Sequence, residues 1–220
     1  MENKTLPFFI FIEGADGTGK TTTSSYLDDI LTNRLKKKVA KAFIMQSTQV
    51  GTLLRKTAVE EETSEELKFL AFSFGVFYGL EKLLSIHSET DFVIVDRSQA
   101  STYAQSICAS DAPEHIKTSM INLFTSLNTR FKEQYKGNYL YVHLNASADK
   151  ALARLYKTRG QFDVLEKRGV SYQEMIKRGY SVFYKQHTNK DEVLHLNTEI
   201  LNPIQVASAI IKHLKDKEKL

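Results

Sequence analysis

The residues most able to do chemistry lie between positions 14 and 22. Gly14-Ala-Asp-Gly-Thr-Gly19-Lys20-Thr21 fits the spacing G-x-x-x-x-G-K-[ST]. Glycines let the backbone curl until its N–H groups converge on a phosphate. Lys20 adds a point charge for the β and γ phosphates of a nucleotide, and the Thr21 hydroxyl suits Mg²⁺. Gly14, Ala15, Asp16, Gly17, Thr18, Gly19, Lys20, Thr21 and Thr22 are therefore expected to bind the phosphates of ATP. A second chemical pair is Asp96-Arg97, at the end of the apolar run Phe92 to Val95. A carboxylate there can hold Mg²⁺, and a guanidinium can grip a second phosphate in a bidentate fork. A purely structural ion pair is the competing explanation. ATP hydrolysis needs the carboxylate alone, whereas a kinase must also hold its acceptor, so the pair leans towards a kinase.

These residues need elements to position them. Phe8 to Ile12 reads as a buried strand and the stretch from about Lys20 to Arg34 as a helix, so the glycine loop sits in the strand–loop–helix context that phosphate binding requires. Val39 to Ile44, Phe92 to Val95, Tyr139 to Leu144 and Val193 to Leu196 read as further strands. Helices are expected from a Thr63/Glu66 capping box to about His87, from Pro113 to Tyr135, from Ala148 to Lys157, from Tyr172 to Tyr184 and from Pro203 to Lys215. Polar Thr158 to Ser171 reads as a mobile loop. Alternating strands and helices predict an α/β fold with a parallel sheet. In such sheets ligands bind outside the carboxyl ends of the strands, where both chemical groups fall.

The bulk properties set limits. The chain has 220 residues, 42% hydrophobic and 25% charged, which suits one globular domain over residues 1–220. A net charge of +4 fits anionic ligands but is too small to argue for nucleic acid. The lone Cys108 permits no internal disulfide and fits a reducing compartment. The apolar start leads into the glycine loop rather than a cleavage site, and no apolar run is read as membrane-spanning, so a cytoplasmic protein without membrane partners is expected.

Several segments together resemble the thymidylate kinases. FIEGADGTGKTT looks like their F-x-E-G-x-D-G-x-G-K-[ST]-T, Asp96-Arg97-Ser98 like their D-R-[YHS], and Ser101-Thr102-Tyr103-Ala104 like S-[ST]-x-A. Arg159 to Glu166 resembles R-G-x-L-D-R-x-E, and Tyr172 to Tyr180 resembles F-F-E-R-V-R-E-G-Y. The resemblance implies a homodimeric, Mg²⁺- and ATP-dependent enzyme with a five-stranded parallel sheet that converts dTMP to dTDP. It implies that Thr21 and Asp96 serve the metal. It also implies that Asp16 and Arg97 hold the acceptor, beside which Phe72, Thr102 and Gln105 are expected, and that a lid from about 155 to 171 closes over ATP. Members without a basic residue in the phosphate loop supply one from the lid. Positions 15–18 carry none here, so Arg159 beside Gly160 is expected to be catalytic with Lys20 and Arg97, followed by Lys157, with Arg154 towards ATP and Lys167 and Arg168 as further candidates. The family's lid arginine is Val164 here.

The base-reading positions depart from the family. Counted back from Asp96, its base-reading arginine falls on Gly75 and its stacking phenylalanine on Ala71, while the tyrosine that follows S-[ST]-x-A becomes Gln105. Gly75 and Gly79 share one helix face and leave room that could admit a bulkier base or let a neighbouring element pack closely. Two other classes stay open: a deoxynucleoside kinase, whose relatives usually lack Asp at position 16, and a nucleotide-binding protein without catalysis.

Overall fold

The segment FFIFIE, Phe8–Glu13, is apolar at every position but the last, as a strand covered on both faces requires, and it forms β1 at the centre of the sheet. The computed structural model describes residues 6–59, 63–87, 89–160 and 166–220. The other strands are β2 (Val39–Phe43), β3 (Phe92–Asp96), β4 (Tyr139–Asn145) and β5 (Val193–Asn197). They lie in the order β2-β3-β1-β4-β5 and every pair is parallel. Strand order reverses at β1, so a crevice opens at its carboxyl end. In register, Ile12 sits beside Asp96 and Glu13 beside His143.

Alternation along β1 divides the core. Phe9 and Phe11 face a layer rich in aromatic residues, with Val93, Val95, Tyr139 and Tyr141. That layer is covered by α3 (Glu65–Ile86), α5 (Glu114–Tyr135) and α7 (Gly169–His187). Ile10 and Ile12 face an aliphatic layer with Ile94, Leu140 and Val142, covered by α1 (Lys20–Asp29) and α8 (Pro203–Asp216). Each layer removes its side chains from water, which drives folding at about 25 cal/mol per Å² of apolar area. The remaining helices are α2 (Gln49–Ala58), the short α4 (Gln99–Thr102) and α6 (Ala148–Arg159).

Several elements differ from the sequence expectation. The first helix is α-helical only to Asp29 and widens into a π turn over Ile30–Arg34. The cap of α3 is Ser64, whose hydroxyl accepts from the Leu67 N–H, while Thr63 donates to the Thr57 carbonyl at the end of α2. α2 itself and the α4–π segment through Cys108 lie where no helix is expected. α6 runs to Arg159 and ends on Gly160 in a left-handed conformation. Residues 161–165 of the expected lid lie outside the described residues. α7 begins earlier than expected, at Gly169. α3 has the length and hydropathy to cross a membrane, contrary to the sequence reading, yet Phe69, Val76, Leu80 and Leu83 on it pack into the aromatic core.

Candidate active site

The glycine loop joins β1 to α1. Gly17 has φ +82°, and a Cβ there would meet the Ala151 carbonyl oxygen at 2.0 Å, so only glycine lets the loop lie against α6. Gly19 caps α1 without any side-chain hydrogen bond. The first-turn N–H groups of α1 therefore keep their capacity for an anion. Lys20 is buried, and its ammonium donates to the Gly14 and Ala15 carbonyls at 3.1 and 3.0 Å. It also pairs with Asp16 at 3.3 Å. Burial lowers the Lys20 pKa, and the Arg97 charge lowers it further. A bound polyphosphate would relieve both effects.

β3 delivers the second group. Arg97 follows the strand with φ +66°, a left-handed conformation that costs a non-glycine residue energy. Its backbone N–H is anchored on the Ile12 carbonyl at 3.1 Å. The side chain crosses to the glycine loop, where Nη2 pairs with Asp16 and Nη1 lies 3.3 Å from the Gly14 oxygen. Burial opposes the Arg97 charge, but the Asp16 carboxylate outweighs it with help from Asp96 and Glu13, so its pKa is raised.

These groups open on one cavity of about 1100 Å³. Asp16, Gly17, Thr18, Gly19, Lys20, Thr21 and Thr22 line its floor, with Asp96 and Arg97 beside them. Gly14 and Ala15 do not line it; their carbonyls hold Lys20 from below. One end is walled by Phe72 and Val76 of α3, Arg55 of α2 and Val59 at its C-cap, and Thr102, Gln105 and Ser106 of the α4–π segment. The other end is walled by Arg154, Leu155 and Thr158 of α6 and by residues 198–203. Arg154 donates to the Thr198 hydroxyl and carbonyl at 3.1 and 2.8 Å.

Lys157 is exposed and does not line the cavity. At about 100° per residue it lies roughly a third of a turn from the face carrying Arg154, Leu155 and Thr158. The backbone of Arg159 closes α6, while Asp163 and Val164 lie outside the described residues. Arg168 sits instead against Glu65, at 3.5 Å, and over the Tyr172 ring at 5.0 Å.

The room beside Gly75 is already filled. A Cβ there would meet the Met45 Sδ and Cε at 2.6 Å, and one at Gly79 would meet the Ile44 oxygen at 2.8 Å. Both glycines serve close packing of α3 on the end of β2, and neither opens space for a base. Phe72 lines the cavity, whereas Ala71 does not. Sequence reasoning missed Arg55, Val76, the 198–203 wall, and the buried Glu13 and Tyr180 that touch the Gly14–Arg97 junction. Arg55 and Val59 are four residues apart, so a helical reading of 49–58 would have put them on one face.

The sheet order, the glycine loop at the switch point and an arginine reaching that loop from the neighbouring strand define a P-loop protein of the nucleotide-kinase class. The family model described as "Thymidylate kinase" matches residues 12–200. The chain belongs to that family. Among curated proteins it is similar to a thymidylate kinase of Campylobacter hominis, 29% identical over 185 residues, which cover 80% of this chain and 85% of the relative.

Proposed function

We propose that the protein transfers the γ-phosphoryl group of ATP to dTMP, giving ADP and dTDP. The observation that carries this reading is the meeting of Lys20, Asp16 and Arg97 at the middle of a single cavity. At about 1100 Å³ the cavity exceeds the usual ~300–1000 Å³ of a one-ligand site and suits two nucleotides end to end. The base of ATP goes to the α6 and 198–203 end. The acceptor goes to the Phe72–Gln105 end, with its phosphate at Arg97.

Lys20 and the N-terminus of α1 hold the β and γ phosphates. An acceptor phosphate oxygen is already anionic and needs no strong base, so catalysis is mainly positioning and charge stabilisation. As the bond from that oxygen to the γ phosphorus forms, the bond to the β,γ-bridging oxygen breaks and ADP leaves with the electron pair. Arg97 draws the acceptor phosphate in line, and Asp16 fixes Arg97 against the loop. Thr21 and Asp96 both border the cavity, and a hydroxyl with a carboxylate is the hard-oxygen donor set that Mg²⁺ prefers. Such an ion would neutralise charge on the β and γ oxygens.

The same reading makes the protein cytoplasmic and a homodimer. Leu67, Leu70 and Phe74 are exposed along α3, an apolar stripe suited to a second copy of the chain. Sedimentation equilibrium tests the dimer, with a monomer at micromolar concentration as the opposing result. Coupled assay of ADP release with dTMP tests the activity.

A further inference from the structure

Glu13, Ser98, Ser101 and Tyr180 form a buried polar cluster under the glycine loop, all at 5% exposure or less. Glu13 Oε1 accepts from the Ser98 hydroxyl, and Oε2 accepts from Ser101 Oγ at 2.6 Å and Tyr180 at 3.2 Å. Ser101 Oγ and the Tyr180 oxygen are 2.7 Å apart. Tyr180 comes from α7, Ser101 from α4 and Glu13 from β1, so three elements meet at one carboxylate.

The cluster reaches the reaction through Arg97. A guanidinium has five N–H donors in a fixed fork. The two on Nη1 face Ser101 Oγ at 3.2 Å, the Gly14 oxygen at 3.3 Å and the Tyr180 oxygen at 3.4 Å. One on Nη2 goes to Asp16. That leaves Nε–H and a second Nη2–H without a partner among the described residues, two donors available to an anion.

We propose that Tyr180 is a positioning residue for the acceptor clamp: with Ser101 and Glu13 it fixes the Nη1 end of Arg97, so that the Nε/Nη2 edge is presented to the acceptor phosphate. The inference rests on the reading that Arg97 binds that phosphate. Two features make the hydroxyl, not merely the ring, the active part. The phenol oxygen lies within 3.4 Å of Arg97, Ser101, Glu13 and Gly14 at once. The Arg97 backbone is in a costly left-handed conformation, so its side chain needs support to hold one geometry. The ring has its own packing, stacked on Tyr184 at 6.1 Å and tilted against His143 at 5.1 Å. Tyr180→Phe keeps that packing and removes only the oxygen.

The test is steady-state kinetics of Tyr180→Phe with varied dTMP, calorimetric ATP affinity without acceptor, and the same substitution on an Arg97→Lys background. Ser101→Ala serves as the second variant, since it removes the other hydroxyl facing both Glu13 and Arg97. The expected result is a fall of roughly 10-fold in kcat/KM for dTMP, with ATP affinity within about 2-fold of wild type. On the Arg97→Lys background the further loss should shrink to about 2-fold or less, because the two groups act as one unit. Undiminished kcat/KM in both single variants, full additivity, or equal loss of ATP and dTMP affinity overturns the inference. A wild type that does not phosphorylate dTMP at all removes the underlying reading, which the parallel wild-type assay reveals separately.

Discussion

Asp16 in the glycine loop and Arg97 after β3 are 81 positions apart in sequence and form an ion pair at the middle of the cavity. Each has a second tie to the loop: Asp16 to Lys20, and Arg97 to the Gly14 carbonyl. The glycine loop and the end of β3 are thus tied to one another.

Arg97→Ala should weaken dTMP binding and turnover while leaving ATP affinity without acceptor near normal. Loss of a charge-assisted contact predicts roughly 10-fold or more in dTMP affinity. Titration calorimetry with each nucleotide alone checks this. Equal loss for both nucleotides would assign the Asp16–Arg97 pair a structural role only.

Two of the basic residues on α6, Arg154 and Lys157, should separate cleanly. Arg154→Ala should raise the KM for ATP several-fold, because Arg154 lines the cavity and is fixed on Thr198. Lys157→Ala should leave kcat and KM within about 2-fold, since its side chain is exposed off the cavity face. A large loss in kcat for Lys157→Ala would show that α6 turns or bends when the site closes.

These contrasts mark what the sequence could tell. The glycine loop, Asp96-Arg97 and five apolar strand segments are local patterns, and each sits where the spacing places it. Lys157 is exposed off the cavity face in a helix phase that 154, 155 and 158 mark, and the side chain of Arg159, the leading lid candidate, lies outside the described residues. The role of Gly75 was not legible, because it depends on Met45 arriving from the end of β2. Glu13 and Tyr180 are 167 positions apart, and no local pattern announces that they are hydrogen-bonded. The helix α2 is amphipathic and was open to a helical reading, whereas the π turn after α4 depends on its packing against α7.

Base choice follows from the filled space at Gly75. Gly75→Arg, which restores the family's residue, should not sharpen recognition. It must displace Met45 and should cost about 1–3 kcal/mol through overpacking. Arg55 is the cation nearest in role, since it lines the acceptor end with Phe72 and Val76. Arg55→Ala should shrink the preference for dTMP over dCMP by roughly 10-fold, the effect of a lost donor to the O4 carbonyl. The check is kcat/KM for dTMP, dUMP and dCMP under one set of conditions, and an unchanged ratio for Arg55→Ala would pass the role to Gln105.

Acid should destabilise the fold through His143. Burial, then the neighbouring His195 and Lys177, lower its pKa from 6.5 to about 3. The unfolded chain binds a proton below pH 6.5 that the folded chain refuses until about pH 3. Stability from this residue is therefore complete above pH 6.5 and falls as pH drops through that window. Glu13 acts in the opposite sense: burial raises its pKa from 4.5, so acidification above pH 4.5 relieves it. His143→Asn should flatten the dependence of Tm on pH between 6.5 and 4.5. A slope identical to wild type would remove His143 from the account.

Phosphoryl transfer itself is tested most directly by coupled ADP release from ATP and Mg²⁺, with dTMP or thymidine as acceptor, on the wild type and Lys20→Ala. The account predicts one ADP per dTDP formed with dTMP, no release above blank with thymidine, and a kcat lower by roughly 100-fold in Lys20→Ala. Phosphorylation of thymidine in place of dTMP, or undiminished turnover by Lys20→Ala, would contradict it.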